Sequence, residues 1–237
     1  MKTIGLIGGM SWESTVPYYQ VINETVRDAL GGLHSAKLLL YSMDFAELER
    51  YQSSGDWDAA AALMTDAALR LQRAGADFLV ICANTMHKSV PAMRAHVSLP
   101  ILHIAEVTAK RLRESGVDTV GLLGTRYTMT EPFYKDKLAE AGIRALVPEG
   151  DDAARVHGVI YDELCRGEIR ADSKRAYLEI IERLRSRGAQ GIVFGCTEIG
   201  LLLEPKDVPL PVFDTTRIHA QEAALFALAD EEAEAGA

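Results

Sequence analysis

The chain has few cysteines and no long apolar run, and both shortages exclude whole classes of protein. Its 237 residues include 3 cysteines, whose spacing is neither that of a metal site nor that of a disulfide framework. No stretch approaches the roughly 18 consecutive apolar residues of a membrane-spanning helix. The first nine residues lack the apolar region and the cleavage site of a signal peptide. We therefore expect a reduced, cytoplasmic protein with no metal and no membrane partner.

The chain also has fewer basic than acidic residues. Lysine and arginine together number 25 against 34 aspartates and glutamates, which gives a formal net charge of −9. This balance argues against nucleic acid or an anionic membrane as a partner. The hydrophobic share of 48% and the charged share of 25% are ordinary for a globular protein. The length suffices for one large domain or two small ones, each with a buried core.

Short apolar runs alternate with helical stretches along the chain. Residues 3–7, 37–41, 78–81 and 99–103 are predicted strands, and 57–74 and 90–96 are predicted helices between them. The polar stretch 52–56 is predicted as a loop. This alternation is typical of βαβ units and predicts an α/β fold with a parallel sheet.

The pattern then occurs a second time. Residues 119–124 repeat 3–8 at an offset of 116, residues 183–196 repeat 70–83 at 113, and residues 208–214 repeat 97–103 at 111. Three anchors in order and at nearly constant offset indicate an internal duplication. We predict two α/β lobes: lobe 1 spans 1–105 plus a C-terminal helix at 216–237, and lobe 2 spans 106–215. A pocket between the lobes would be lined by both sets of strand ends.

The stretch 190–200 ends a predicted buried strand with Cys196, Thr197 and Glu198. Ligands of α/β sheets bind beyond the carboxyl ends of strands, and a helix N-terminus there lowers the pKa of a thiol. Cys196 is therefore a candidate catalytic thiol. The alternative is a buried cysteine that packs as a small hydrophobe.

The repeat gives each of these residues a counterpart: Ala83 for Cys196, Asn84 for Thr197, and Thr85 for Glu198. Amide and hydroxyl side chains beside free N–H groups suit a carboxylate ligand. Simple helix capping is the alternative function of four side chains, namely those of Ser11, Asn84, Thr85 and Thr197.

Other conspicuous residues are predicted to be structural. His87 and His103 have no partner pattern for a metal site. Cys165 is interpreted as a packing residue. The glycines at 5, 8 and 9 lack the spacing of a dinucleotide-binding loop.

Four motifs together resemble the cofactor-independent aspartate/glutamate racemases over essentially the whole chain. They are residues 8–15 (Gly-Gly-Met-Ser-Trp-Glu-Ser-Thr), 84–87 (Asn-Thr-Met-His), 123–128 (Leu-Gly-Thr-Arg-Tyr-Thr) and 195–198 (Gly-Cys-Thr-Glu). The similarity is greatest to the bacterial branch with broad or L-leaning aspartate/glutamate specificity. It implies two pseudo-symmetric Rossmann-like lobes, an active site between them, a homodimer, an amino-acid substrate and no cofactor.

The resemblance also implies a mechanism and a set of site residues. In this family one thiolate removes the Cα proton and a second thiol reprotonates from the opposite face, while donors to the α-carboxylate stabilise the carbanion. Cys196 matches the second thiol. The implied substrate-binding positions are Met10 (through its backbone), Gln52, Ala83, Asn84, Thr85, Thr197 and Glu198, with Thr125 and Thr128 as further lining residues.

The first thiol position departs from the family pattern, because it holds Ala83 and Cys82 lies one residue too early. Adjacent strand residues point to opposite faces, so Cys82 is expected to point away from the site. A second acid would have to be Cys82 after a local twist, His87 or water. The expected activity is therefore reduced or one-sided racemisation. The alternatives are a one-thiol decarboxylase or isomerase of the same superfamily, a two-lobed binding protein without catalysis, and a thiol hydrolase.

Overall fold

A computed structural model describes residues 1–235, so the last two residues of the predicted C-terminal helix at 216–237 lie outside the described residues. The chain forms two compact units. The first comprises Met1–His103 together with the chain from His219 onward, and the second comprises Ile104–Ile218.

The first unit is built on a parallel four-stranded sheet. Its strands are β1 (Ile4–Gly8), β2 (Leu38–Ser42), β3 (Phe78–Ile81) and β4 (Ile101–Leu102), in the order β2-β1-β3-β4. The helices between them are α1 (Trp12–Leu30), α2 (Phe45–Ser54), α3 (Trp57–Arg73) and α4 (Val90–Arg94), with a 3-10 turn at Thr85–Ser89. The predicted strands and helices of this half are present, within a few residues at their ends.

The second unit repeats the arrangement. Its strands are β5 (Thr119–Gly124), β6 (Arg144–Leu146), β7 (Gly191–Gly195) and β8 (Val212–Asp214), all parallel and in the order β6-β5-β7-β8. The helices are α5 (Ile104–Glu114), α6 (Arg126–Thr130), α7 (Pro132–Glu140), α8 (Gly150–Asp162), α9 (Ala171–Ser186) and α10 (Ile199–Leu202), with 3-10 turns at Leu164–Arg166 and Pro205–Asp207. Helix α11 (Thr215–Ala235) begins in this unit and belongs to the first from His219 onward. The shared strand order is what the sequence repeat predicts, and the α/β fold with two parallel sheets is confirmed.

Each face of the first sheet packs on a different set of helices. Ile7, Leu79 and Ile81 pack on the side of α3, whereas Ile4 and Val80 pack on the side of α1 and α11. Alternation along the strands produces this division, because successive side chains of a strand point to opposite faces. The core of the second unit surrounds β7 in the same manner.

Helix α2 replaces the loop that was predicted at 52–56. Asp44 caps its start by accepting a hydrogen bond from the Ala46 N–H at 3.1 Å, and Gly55 ends it with a φ of 78°. Leu48 and Gln52 are its buried residues. Gln52 therefore lies on a helix rather than on a loop.

The described residues lack both a membrane-spanning helix and a metal-binding cluster. Within residues 1–235 no helix is long and apolar enough to cross a membrane. The same part of the chain contains no cluster of histidine, cysteine, aspartate or glutamate that could hold a metal ion.

Candidate active site

Cys196 is positioned by two glycines at the carboxyl edge of the second sheet. Gly124 and Gly195 pair as neighbours at the ends of β5 and β7, which places Thr125 and Cys196 next along the same edge. A Cβ on Gly124 would lie 2.8 Å from the carbonyl oxygen of Gly195, so any larger residue would push the strand ends apart. The hydroxyl of Thr215 donates to the carbonyl oxygen of Phe194 at 2.7 Å and fixes the end of β7.

The three residues after β7 form one hydrogen-bonded group around a carboxylate. Oε2 of Glu198 accepts from the Cys196 thiol at 2.9 Å and from the Thr197 hydroxyl at 2.8 Å. All three side chains are buried, and Glu198 is 2% exposed. The predicted site residues of this stretch are thus brought together. The Thr197 hydroxyl bonds to Glu198, which is a different use from the capping considered for it.

The environment of Cys196 acts against ionisation in the unliganded protein. Burial raises the pKa of the thiol well above its ordinary value, and the negative charge of Glu198 raises it further. The expectation that a helix N-terminus lowers this pKa is therefore wrong. Helix α10 has only four residues, so its dipole is small, and the carboxylate is in direct contact with the sulfur.

Cys165 belongs to the same group, although the sequence suggested only a packing role. Its thiol donates to Oε1 of Glu198 at 3.7 Å, so the two carboxylate oxygens each accept from a different cysteine. Cys165 lies on the 3-10 turn after α8, anchored by the fully buried Leu164 and ended by Gly167 in the left-handed region at φ 72°. The 33 residues that separate Cys165 from Glu198 explain why sequence spacing gave no signal.

Tyr161 borders this group from the last turn of α8. Burial raises the pKa of its hydroxyl, and the negative charge of Glu198 raises it further. The phenol is therefore neutral at physiological pH. It can take part in hydrogen bonding but does not supply a negative charge.

His157 lies next to Tyr161, and Arg126 lies next to His157. The ring of His157 lies 4.8 Å from that of Tyr161, and its Nδ1 accepts from the backbone N–H of Arg126 at 3.2 Å. The Arg126 guanidinium lies 5.2 Å from the centre of the Tyr127 ring. Since Arg126 follows Thr125 on the edge that carries Cys196, it is a cation available for a carboxylate ligand. The sequence analysis did not identify it.

Thr125 and Thr128 are joined to each other on this edge. The Thr125 hydroxyl oxygen accepts from the Thr128 N–H at 3.3 Å and caps α6, and the two hydroxyls lie 3.3 Å apart. Both side chains are buried. Thr125 is therefore a capping residue in addition to its predicted place at the site.

In the first unit, Cys82 and Ala83 point in opposite directions at the end of β3. Cys82 is fully buried in the cluster beside α1 and α11, whereas Ala83 packs in the cluster beside α3. Burial raises the pKa of the Cys82 thiol far above its ordinary value. Cys82 therefore faces away from the side on which Ala83 packs, as strand alternation predicted.

His87 supports the Ala83 backbone rather than carrying a charge. Its Nδ1–H donates to the carbonyl oxygen of Ala83 at 2.8 Å. Burial lowers the pKa of the imidazole to about 4, so it is neutral at pH 7. Its ring packs 4.6 Å from that of His103. These contacts agree with the structural role predicted for both histidines.

The remaining predicted site residues of the first unit lie around the 3-10 turn Thr85–Ser89, which follows β3. Gln52 Nε2 donates to the sulfur of Met86 at 3.0 Å, and Met10 and Ala83 share the apolar cluster that contains Met86. Asn84 and Thr85 are buried where the 3-10 turn begins. Neither Ser11 nor Asn84 makes a side-chain capping bond to the helix that follows it, so simple capping does not explain these two residues.

Comparison with known proteins gives a consistent result. The family model Asp/Glu/hydantoin racemase matches residues 7–223. A putative Asp/Glu racemase from Yersinia pestis has a similar structure, with 52% identity, a TM-score of 0.88, and coverage of 96% of this chain and 100% of that one. An aspartate racemase homologue from Pyrococcus horikoshii OT3 has 33% identity and a TM-score of 0.81, over 96% of this chain and 99% of the other.

A relative is also found by sequence alone. The broad specificity amino-acid racemase RacX of Bacillus subtilis (strain 168) is 22% identical over 226 residues, which is 90% of this chain and 92% of that protein. The similarity therefore extends over nearly the whole length of both chains.

Proposed function

Because this chain belongs to the Asp/Glu/hydantoin racemase family, we propose that it exchanges the Cα proton of an acidic amino acid by means of the Cys196 thiol and without a cofactor. The observation that carries this proposal is the hydrogen bond from Cys196 to Glu198 at 2.9 Å. This bond joins the Cys196 thiol, which would carry the proton, to the Glu198 carboxylate, which would act as its base, and both side chains are buried.

Glu198 provides the route by which Cys196 becomes reactive. The thiol passes its proton to Oε2 of Glu198, and the resulting thiolate removes the Cα proton of the substrate. The proton held on Glu198 removes the carboxylate charge, so the thiolate does not face a second negative charge. The raised pKa of Cys196 makes this transfer unfavourable in the resting protein, which limits unwanted reactions of the thiol.

The substrate's carboxylates require donors of their own. Met10, Gln52, Asn84, Thr85 and Thr197 are proposed for the α-carboxylate on the basis of the family resemblance. Arg126 is proposed for the side-chain carboxylate, because its guanidinium follows the strand end beside Cys196. An acidic substrate is therefore favoured over a neutral one.

Ala83 makes the proposed reaction one-sided. The resemblance assigns it the position of the family's first thiol, and a methyl group has no proton to give. Cys82 is buried on the other face of the sheet and His87 is neutral at pH 7, so neither replaces that thiol. Removal and return of the proton through Cys196 is expected to be faster than inversion of the stereocentre. A one-thiol decarboxylation or isomerisation uses the same group and is the second candidate function.

Deuterium exchange tests the proposal directly. L- and D-aspartate and glutamate are incubated with the protein in D₂O, and Cα deuterium is followed by NMR alongside the enantiomeric ratio. Exchange is expected in the wild type and not in Cys196→Ala. The control is Cys82→Ala, which removes a thiol from the first unit and is expected to exchange normally. A folded wild-type protein that exchanges no acidic amino acid would refute the function. The homodimer and the cytoplasmic location stay predictions.

A further inference from the structure

We propose that Cys165 is a positioning residue that holds Glu198 and carries protons between solvent and the Cys196–Glu198 pair. The inference rests on the function proposed above. It starts from a difference in exposure: Cys196 and Glu198 are both buried, whereas Cys165 is only partly buried.

A proton that leaves Cys196 has to be replaced, and its hydrogen-bond partner Glu198 is the nearest group that can carry one. Oε2 of Glu198 is already occupied by the Cys196 thiol and the Thr197 hydroxyl. The other oxygen, Oε1, accepts from the Cys165 thiol at 3.7 Å. The carboxylate therefore lies between a buried thiol and a partly exposed one, and it can receive a proton on one oxygen while it releases a proton from the other.

The transfer balances at each atom. When the Cys196 thiolate needs a proton, the protonated Glu198 delivers one from Oε2, and the Cys165 thiol supplies another to Oε1. Water at the partly exposed face then protonates the Cys165 thiolate. The reverse sequence carries a substrate-derived proton outward. No bond other than S–H and O–H is broken, and no oxidant or reductant is needed.

The fold keeps Cys165 in place for this role. Leu164 anchors its turn in the core, and the hydroxyl of Ser173 donates to the Glu163 carboxylate at 2.6 Å just before the turn. The Cys165 side chain packs against the core and also has a hydrogen that it donates to Glu198. A serine at position 165 retains such a hydrogen, whereas an alanine does not.

The experiment compares Cys165→Ala with Cys165→Ser in the D₂O exchange assay. In Cys165→Ala the kcat for Cα exchange is expected to fall about tenfold or more, the low end of what a lost proton-transfer group costs. KM is expected to be unchanged, and the pH dependence of kcat is expected to shift. Cys165→Ser is expected to recover part of the rate, because a hydroxyl that donates to Oε1 while it accepts a proton from water passes the proton in one concerted step and forms no alkoxide. Cys82→Ala serves as the matched control, since it also removes a thiol and leaves Glu198 untouched.

The outcomes separate this inference from the function on which it rests. Equal loss of kcat in Cys165→Ala and Cys165→Ser, or no loss in either, would overturn the relay while Cys196-dependent exchange in the wild type upheld the function. Absence of any exchange that depends on Cys196 would overturn both. Circular dichroism and the thermal midpoint of each variant show whether it is folded.

Discussion

Replacing Ala83 by cysteine is expected to convert one-sided proton exchange into racemisation. The change adds one sulfur to a side chain that is 7% exposed and packs in the cluster beside α3. Overpacking of this kind costs about 1–3 kcal/mol. Domains are typically stable by roughly 5–15 kcal/mol, so Ala83→Cys is expected to fold. The added thiol supplies the second acid that the proposed site lacks.

The expected gain follows from the usual contribution of a positioned general acid, about 10²–10⁴-fold. Racemisation of aspartate or glutamate is followed by polarimetry, and Cα deuterium incorporation is measured on the same samples. In Ala83→Cys the ratio of racemisation to exchange is expected to rise by about 10²-fold or more. Ala83→Ser is the size control: it adds a similar volume, but its hydroxyl is a far weaker acid, so the ratio is expected to change little.

One result would refute this reasoning. If Ala83→Cys is folded and still exchanges the Cα proton through Cys196, but its ratio of racemisation to exchange equals that of the wild type, then position 83 does not face the reacting carbon. The assignment of Ala83 to the first thiol position would then be wrong, while the role of Cys196 would stand.

Three further predictions concern charge. Arg126→Gln is expected to raise KM for aspartate and glutamate at least about tenfold, because a charge-assisted hydrogen bond to a carboxylate is worth roughly 1.5–3 kcal/mol. KM for neutral amino acids is expected to stay unchanged. An equal rise in KM for acidic and neutral amino acids would contradict the assignment of Arg126. Glu198→Gln is expected to lower the pKa of Cys196 and to speed its labelling by iodoacetamide at pH 8 at least about tenfold. The reason is that two unit charges near 4 Å apart interact by about 4 kcal/mol at an effective dielectric of 20. The Cα exchange activity of this variant is expected to fall. Burial lowers the pKa of His219 to about 3, so the unfolded state binds one more proton below pH 6.5. Stability is thus expected to fall by about 1.4 kcal/mol per pH unit for this group as pH drops from 6.5 toward 4, and urea midpoints of His219→Gln are expected to depend less on pH.

The strands were predictable because their signals are local. The runs at 78–81 and 119–124 are apolar and bounded by turn residues, and the structure places β3 and β5 at these positions. The duplication was predictable because three anchors recur in order. Helix α2 was missed because it is short and most of its ten residues are polar or charged, although Phe45, Leu48 and Tyr51 pack on the core.

The site was predictable only where neighbours in sequence are neighbours in space. Cys196, Thr197 and Glu198 are consecutive, and the structure joins them through one carboxylate. Cys165 reaches that carboxylate from another turn, and only the packing of that turn in the core brings it there. The raised pKa of Cys196 was also outside the reach of sequence, because burial and a facing charge decide it rather than the position of the thiol after a strand.

The placement of exchangeable protons explains why exchange and inversion are expected to separate in this chain. Glu198, Thr197 and Cys165 bear or accept protons in the hydrogen-bonded group of Cys196, and all three belong to the second unit. At the corresponding turn of the first unit, Ala83 offers a methyl group and His87 is neutral because burial lowers its pKa to about 4. Under the proposed mechanism, protons are expected to reach the substrate carbon through the Cys196 group, whereas Ala83 supplies none. If the proposal is right, the measured ratio of Cα exchange to inversion is expected to be well above one in the wild type.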